Sequence, residues 1–314
     1  DQIAYSDAGL TAALENGATT VYLTEGTFIV PDSAKGKTVT FVGSGDPEDT
    51  VIAAQDDGGA EGDCDYSLDG ATVTFENVTI TTTSTYFPGY ARCKGTYKNC
   101  IINGVFTLYD NSSFEKCTFN VSGDIYNVWT WGAAEATFTN CTFNCDGKAM
   151  LLYGTANTKL TMNNCVFNDN GDDTITGKAA IESGNDYNKS YELIVNNADV
   201  NGFAINPNGI NTNTTLWANK NSMPADKLKV TVDGLTWKAN GLGEDAEGNT
   251  IATNVSGLRT ALTEGIDVTL EDDMEVKNSE ADSNGYGKTG INQNNGGTID
   301  SGGNDFGVNA GGTW

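Results

Sequence analysis

The chain has 314 residues, 17 Lys and Arg against 42 Asp and Glu, a formal net charge of −25, and no histidine. The missing imidazole excludes Ser-His-Asp triads, Cys-His dyads and His-ligated zinc. With two arginines, Arg92 and Arg259, no nucleic-acid partner or anionic membrane surface is expected, and no apolar run approaches the ~20 residues that span a bilayer.

A content of 38% hydrophobic residues suffices for a packed core, and 38 Gly and 35 Asn against 5 Pro favour tight turns between short strands. Asp1 in place of an initiator Met reads as a processed or trimmed start, and the Gly-rich stretch at Trp314 as a chain that continues. Residues 7–17 read as a short helix with Leu10, Ala13 and Leu14 on one apolar face and Gly17 as its stop. Strands follow at Val21–Leu23, Glu25–Val30 and Thr38–Gly43. Further strand candidates are Thr72–Thr82, Thr107–Tyr109, Val128–Trp131, Leu151–Tyr153, Leu193–Val195, Lys229–Val232 and Thr236–Trp237.

The middle of the chain is periodic. Cys117, Cys141 and Cys165 are spaced by 24 residues, with Phe119, Phe143 and Phe167 two positions after them and Phe114, Phe138 and Met162 three before. A fixed period with one short alternating strand per repeat marks a β-solenoid. Cys and Phe at i and i+2 share the inward face, while Thr118 and Thr142 point outward. Stacking then predicts a Cys column and a Phe column, with the Asn that follows each Phe at a turn of positive φ, amide stacked on amide. The seven cysteines contain no CxxC pair; they read as core thiols, with Cys141–Cys145 or Cys93–Cys100 as the alternative disulfides.

The opening pattern returns near the end. Gly9-Leu10-Thr11-Ala12-Ala13-Leu14 corresponds to Gly257-Leu258-Arg259-Thr260-Ala261-Leu262, and Val21-Tyr22-Leu23 to Val268-Thr269-Leu270. Residues 1–237 are therefore expected to form one solenoid domain, the polar, Gly-rich 238–250 a linker, and 251–314 an incomplete second module with its own capping helix.

The helix Leu10–Leu14, the run Val21–Phe28, Gly36-Lys37-Thr38-Val39 with Val42-Gly43, and the Asn-Cys-x-Phe coils at 99–168 together resemble the right-handed parallel β-helix proteins of the pectin-lyase-like superfamily. The Asn-rich style is similar to surface or phage-associated proteins of gut bacteria. The resemblance implies an all-β fold, a single-stranded right-handed parallel β-helix with a short N-terminal capping helix and the start of a second similar module. It is specific for fold and not for activity, since such proteins include polysaccharide lyases, glycoside hydrolases, phage tailspikes and inert surface proteins.

Candidate sites follow from residue chemistry. Asp172-Asp173 is the carboxylate pair to weigh for glycan cleavage, although neighbours on an extended strand point to opposite faces. Arg92, in Tyr90-Ala91-Arg92-Cys93-Lys94, is the basic candidate, with a solvated turn as its alternative. Asp169, Asp172 and Asp173 offer oxygens to Ca²⁺, as does the acidic stretch 56–63, but neither has EF-hand or RTX spacing, so the expectation is no cofactor, with Ca²⁺ as its alternative. Trp129 and Trp131 share a strand face, and Tyr153 lies 24 residues after Trp129. The repeat thus predicts Trp129 and Tyr153 in one column, either a sugar-binding platform facing out or an aromatic stack facing in.

The functional expectation is an extracellular structural or adhesive rod on a cell surface, filament or virion, touching glycan without cleaving it. A polysaccharide-degrading enzyme and a phage fibre or decoration protein are its alternatives. End-to-end or homo-oligomeric assembly is the expected self-interaction, because open solenoid ends carry unpaired strand edges.

Overall fold

The computed structural model describes residues 1–55, 64–82, 89–171, 178–184, 187–203, 209–211, 215–219, 223–238, 241–277, 280–281, 287–288 and 295–309. The chain is predominantly β and winds through three mainly parallel sheets, a solenoid-like build. A long sheet of 15 strands begins Gln2–Ala4, Thr20–Leu23, Thr38–Gly43, Thr72–Glu76 and Lys94–Lys98. A second sheet has 8 strands, from Gly26–Phe28 to Asp199–Asn201, and a third has 6, from Phe106–Thr107 to Thr215–Asn219 with Gly209–Asn211 added antiparallel. One coil in the middle supplies Ser112–Glu115 to the first sheet, Thr118–Asn120 to the second and Val128–Trp131 to the third. The segment Thr72–Thr82, expected as one strand, is two: the chain turns a corner at Asn77, φ 55°, and passes from the first sheet to the second.

The periodic residues stack as their spacing demands. Parallel register places Phe119 beside Phe143 and Phe143 beside Phe167. Strands lie ~4.8 Å apart, so identical rings in register must stack. Phe119–Phe143 and Phe143–Phe167 centroids are 4.7 and 5.0 Å apart. A parallel column runs through the long sheet, where Tyr97–Phe114 is 4.5 Å and Phe114–Phe138 4.6 Å. All seven cysteines are buried and unbridged. Cys100, Cys117, Cys141 and Cys165 fill the narrow corner before second-sheet strands, and the Cys100, Cys117 and Cys141 carbonyls each accept an amide of the next coil, from Thr118, Thr142 and Val166, at 2.9 Å.

The asparagines divide the labour that the repeat assigned to one set. Asn103, Asn120, Asn144 and Asn168 do stack amide on amide, at 2.8–3.0 Å, but they lie in strands, at the last or next-to-last position. The positive φ belongs instead to the residue before Cys100, Cys117, Cys141 and Cys165: Asn99 (49°), Lys116 (55°), Asn140 (55°) and Asn164 (53°). The corner is there, and Asn tolerates the left-handed region better than other side chains with a Cβ.

Cys93, Cys117, Cys141, Cys145 and Cys165 do not ionise readily. The hydrogen bond from the neighbouring Cys117 is the main cause that pushes the Cys141 thiol up to about 12, and burial does the same for Cys93 and Cys145. Because only thiolate attacks a disulfide reagent and all seven thiols are buried away from one, the native protein at pH 8 is expected to show no thiol reactive toward Ellman's reagent within minutes. In denaturant all seven should react. Rapid reaction of even two native thiols would contradict this packing.

The two α-helices described are both capped at their N-termini. In α1 (Asp7–Glu15) the Ser6 hydroxyl accepts the Gly9 amide at 3.2 Å, and Leu10, Ala13 and Leu14 are buried against the first coil. In α2 (Val255–Thr263) Asn254 accepts the Gly257 amide at 2.8 Å, with Leu258, Ala261 and Leu262 buried.

Between them the sheet changes character. Leu228–Val232, Leu235–Lys238, Leu242–Glu244 and Thr250–Ala252 pair antiparallel in succession, and parallel pairing resumes at Val268–Leu270. Asp233 (φ 49°) and Gly234 (φ 84°) make the first tight reversal. Within the segment read as linker, Leu242–Glu244 is thus a strand held on both edges. Val230, Trp237, Gly243 and Ile251 lie opposite one another, and Val230, Trp237 and Ile251 belong to the first core. The alternate residues Leu242 and Ala252 join Val268 and Leu270 in a second core. One continuous sheet therefore carries a core on each face.

Candidate functional site

The third sheet has two rows of side chains. Phe106, Val128, Met150, Ile181 and Trp217 are in register and buried in the core. The alternate row, Thr107, Trp129, Leu151, Glu182 and Ala218, faces the other way. Trp129 is half-buried there, as are Trp131 and Tyr153 nearby, and Tyr187 is 44% exposed. The aromatic residues thus lie off the core row, on a face whose other members Thr107, Leu151, Glu182 and Ala218 are buried.

Their arrangement differs from the column that the 24-residue period implied. Trp129 pairs with Leu151, and the register then slips so that Trp131 pairs with Gly154. The slip is a bulge, a device that re-aims side chains. It requires glycine: Gly154 has φ +156°, and a Cβ there would lie 1.8 Å from the Trp131 carbonyl oxygen. The bulge turns Tyr153 between the two tryptophans, with its amide on the Thr130 hydroxyl at 3.1 Å. Tyr153 meets Trp129 edge-on at 6.2 Å and Trp131 at 6.1 Å, and Tyr187 meets Trp131 at 5.4 Å and Tyr153 at 5.5 Å. The result is an edge-to-face cluster spread over three coils rather than a flat stack.

A polar group adjoins it. Tyr126 touches Trp129 edge-on at 6.0 Å, and its hydroxyl donates to the carboxylate of Glu182, which is 5% exposed. Lys148 Nζ sits 4.5 Å from the Tyr126 ring centroid and 2.9 Å from Asp124 Oδ1, and Lys178 pairs with the same Asp124 oxygen. Burial pushes the Tyr126 hydroxyl far up, reinforced by the Glu182 charge and hydrogen bond, so it is a donor and not a base. Burial lowers the Lys148 ammonium, partly offset by the Glu182 charge. Shifts of this kind gather where a cleft and specific partners act together.

The residues singled out by sequence fall into three places. Trp129, Trp131 and Tyr153 are brought together here. Arg92 is elsewhere, on a turn of φ 55°, with Nη1 3.9 Å from Asp69 Oδ2 and its guanidinium 5.9 Å from the Tyr66 centroid, half exposed. Its place is a partly exposed turn beside Asp69 and Tyr66. Asp169 ends a second-sheet strand, and its Oδ1 accepts the Gly171 amide at 2.9 Å. Asp172, Asp173 and the stretch 56–63 lie outside the described residues. Among the described residues no group of three or more Cys, Asp or Glu is placed to hold a metal ion, and no helix is long and apolar enough to cross a membrane. Tyr126, Lys148, Glu182 and Tyr187 were not anticipated, because they come from coils of unequal length.

A second concavity, a cavity of about 640 Å³, opens beside the antiparallel junction. Trp217, Met223, Leu228 and Trp237 line it together with Lys229 and Glu264. No protein-family model matches the chain, and neither a curated protein nor a solved structure matches it.

Proposed function

We propose that this chain is an extracellular, right-handed β-helical rod of the pectin-lyase-like kind that binds glycan along the Trp129–Trp131–Tyr153–Tyr187 cluster. The observation that supports this most is the half-exposed aromatic cluster, continuous with a buried carboxylate–tyrosine pair, on the outer face of a rigid solenoid. Aromatic rings cover the apolar faces of sugar rings, and Glu182, Tyr126 and Lys148 supply fixed hydrogen-bond partners beside them. A net charge of −25 keeps such a rod soluble and discourages non-specific association.

Titration of a panel of neutral and acidic polysaccharides by calorimetry tests the reading. Trp129→Ala and Tyr153→Ala are each expected to weaken the tightest ligand at least about tenfold, roughly 1.4 kcal/mol, with the melting temperature little changed. Binding that survives both substitutions would remove the cluster as the site.

A second reading, glycan cleavage, draws on one observation: the desolvated Lys148 lies beside the Tyr126–Glu182 pair. Release of new reducing ends or unsaturated products, abolished by Glu182→Gln, would replace the binding reading with this one.

A further inference from the structure

The two modules repeat at an offset of 248 residues, from Gln2-Ile3-Ala4 to Thr250-Ile251-Ala252 and from the N-cap Ser6 to Asn254. Their inward faces match: Ala4 and Ala252 are fully buried, as are Leu10 and Leu258. Both strands pair parallel with the strand that follows their helix, Ile3 beside Tyr22 and Ile251 beside Thr269.

Their other edges do not match. Thr250–Ala252 receives Leu242–Glu244 antiparallel, Gly243 lies opposite Ile251, and the Thr253 amide reaches the Gly241 carbonyl at 2.9 Å. Ile251 is there 1% exposed and packs in the core of the preceding solenoid. Gln2–Ala4 is the terminal strand of the long sheet, and among the described residues no strand lies on its outer edge. Ile3 is 57% exposed and Tyr5 75%. Tyr22 and Ile29 are also exposed, so four of the five exposed large hydrophobic residues described lie on this first coil. Where the second module has Thr253 and Thr269, the first has Tyr5 and Tyr22. Singly exposed apolar residues are ordinary, whereas a contiguous group at a free strand edge marks an interaction surface.

We propose that the Gln2–Ala4 edge, with Ile3, Tyr5 and Tyr22, docks the antiparallel hairpin that closes another solenoid module of the same build. The occupant follows from the chain's own second copy. It is a strand pair of the Leu235–Lys238 and Leu242–Glu244 type, with a small residue opposite Ile3 and a tryptophan behind it, as Gly243 and Trp237 stand to Ile251. Main-chain hydrogen bonds to the open edge supply the pairing, and burial of Ile3 supplies the apolar contact. The surface is separate from the aromatic cluster of the third sheet and does not depend on glycan binding.

The probe is a fluorescent, backbone-cyclised peptide of residues 228–249, its hairpin first confirmed by cross-strand NOEs, titrated against the full chain by anisotropy. Saturable binding is expected, weakened at least about tenfold by Ile3→Asp, with the exchange of the amides at residues 2–5 slowed by the peptide. Ile3 is exposed, so that variant should fold as the parent does, which its melting curve checks. No binding at about 1 mM peptide, a Kd bound worth only about −4 kcal/mol, would overturn the proposal. So would binding that Ile3→Asp leaves unchanged. A concentration-dependent dimer of the chain that Ile3→Asp abolishes would also overturn it, since the occupant would then be the same edge of a second copy.

Discussion

Ile251→Asp is expected to lower stability by at least about 4 kcal/mol, whereas Ile3→Asp, at the equivalent position of the first module, should stay within about 0.5 kcal/mol. The two isoleucines share sequence context, strand and following helix, and differ in burial, 1% against 57%. At 251 the substitution removes an aliphatic side chain from the first core and places an unpaired carboxyl there. At 3 the same carboxyl stands in water. In a domain of this size each kcal/mol moves the midpoint by about 2–4 °C, so thermal melts should separate the variants by roughly 10 °C.

The sign of the pH dependence is fixed by the same argument. A carboxyl buried without a partner has its pKa raised on folding, so the cost is full above the folded pKa and shrinks as the group protonates on acidification. Acid should therefore narrow the gap between the two variants. Equal melting temperatures near neutral pH would mean that the two modules do not share the sheet.

Phe143→Ala is expected to cost about 3–5 kcal/mol, at the upper end because the ring is stacked on both sides. It is fully buried between Phe119 at 4.7 Å and Phe167 at 5.0 Å, with Phe138 tilted against it at 5.5 Å. Strand spacing fixes the backbones above and below, so neighbouring coils cannot close on the void. Urea unfolding followed by far-UV circular dichroism measures the cost. Hydrogen exchange should show the coil carrying residue 143 opening first, since a solenoid coil is supported only by its neighbours. A loss under about 1 kcal/mol would mean that the column does not support the coil.

Much of this architecture was legible because it repeats. Cys117, Cys141 and Cys165, with Phe119, Phe143 and Phe167, keep one spacing, and stacked strands convert constant spacing into columns. The third side of the coil obeys no such rule. Register carries Trp129 to Leu151, Leu151 to Glu182 and Glu182 to Ala218, steps of 22, 31 and 36 residues. Connections of variable length leave from this side, so the period placed Trp129 opposite Tyr153, whereas the bulge at Gly154 sets them edge to face. Glu182, Tyr126, Lys148 and Tyr187 carried no sequence signal for the same reason. One missed feature did have a signal: Asp233-Gly234 between two apolar alternating runs is a hairpin sequence, and it announces where parallel winding ends.

The unbridged thiols give the solenoid-like chain a particular response to force. Each repeat between Phe119 and Phe143 is 24 residues of chain held to its neighbours by hydrogen bonds, stacked rings and amides, with no covalent tie between coils. A pull on one end peels coils in order, and each 24-residue coil that lets go releases about 80 Å of contour. Such a chain lengthens in steps under load, spreading extension over many small yields, and rewinds by the same contacts when the load is removed.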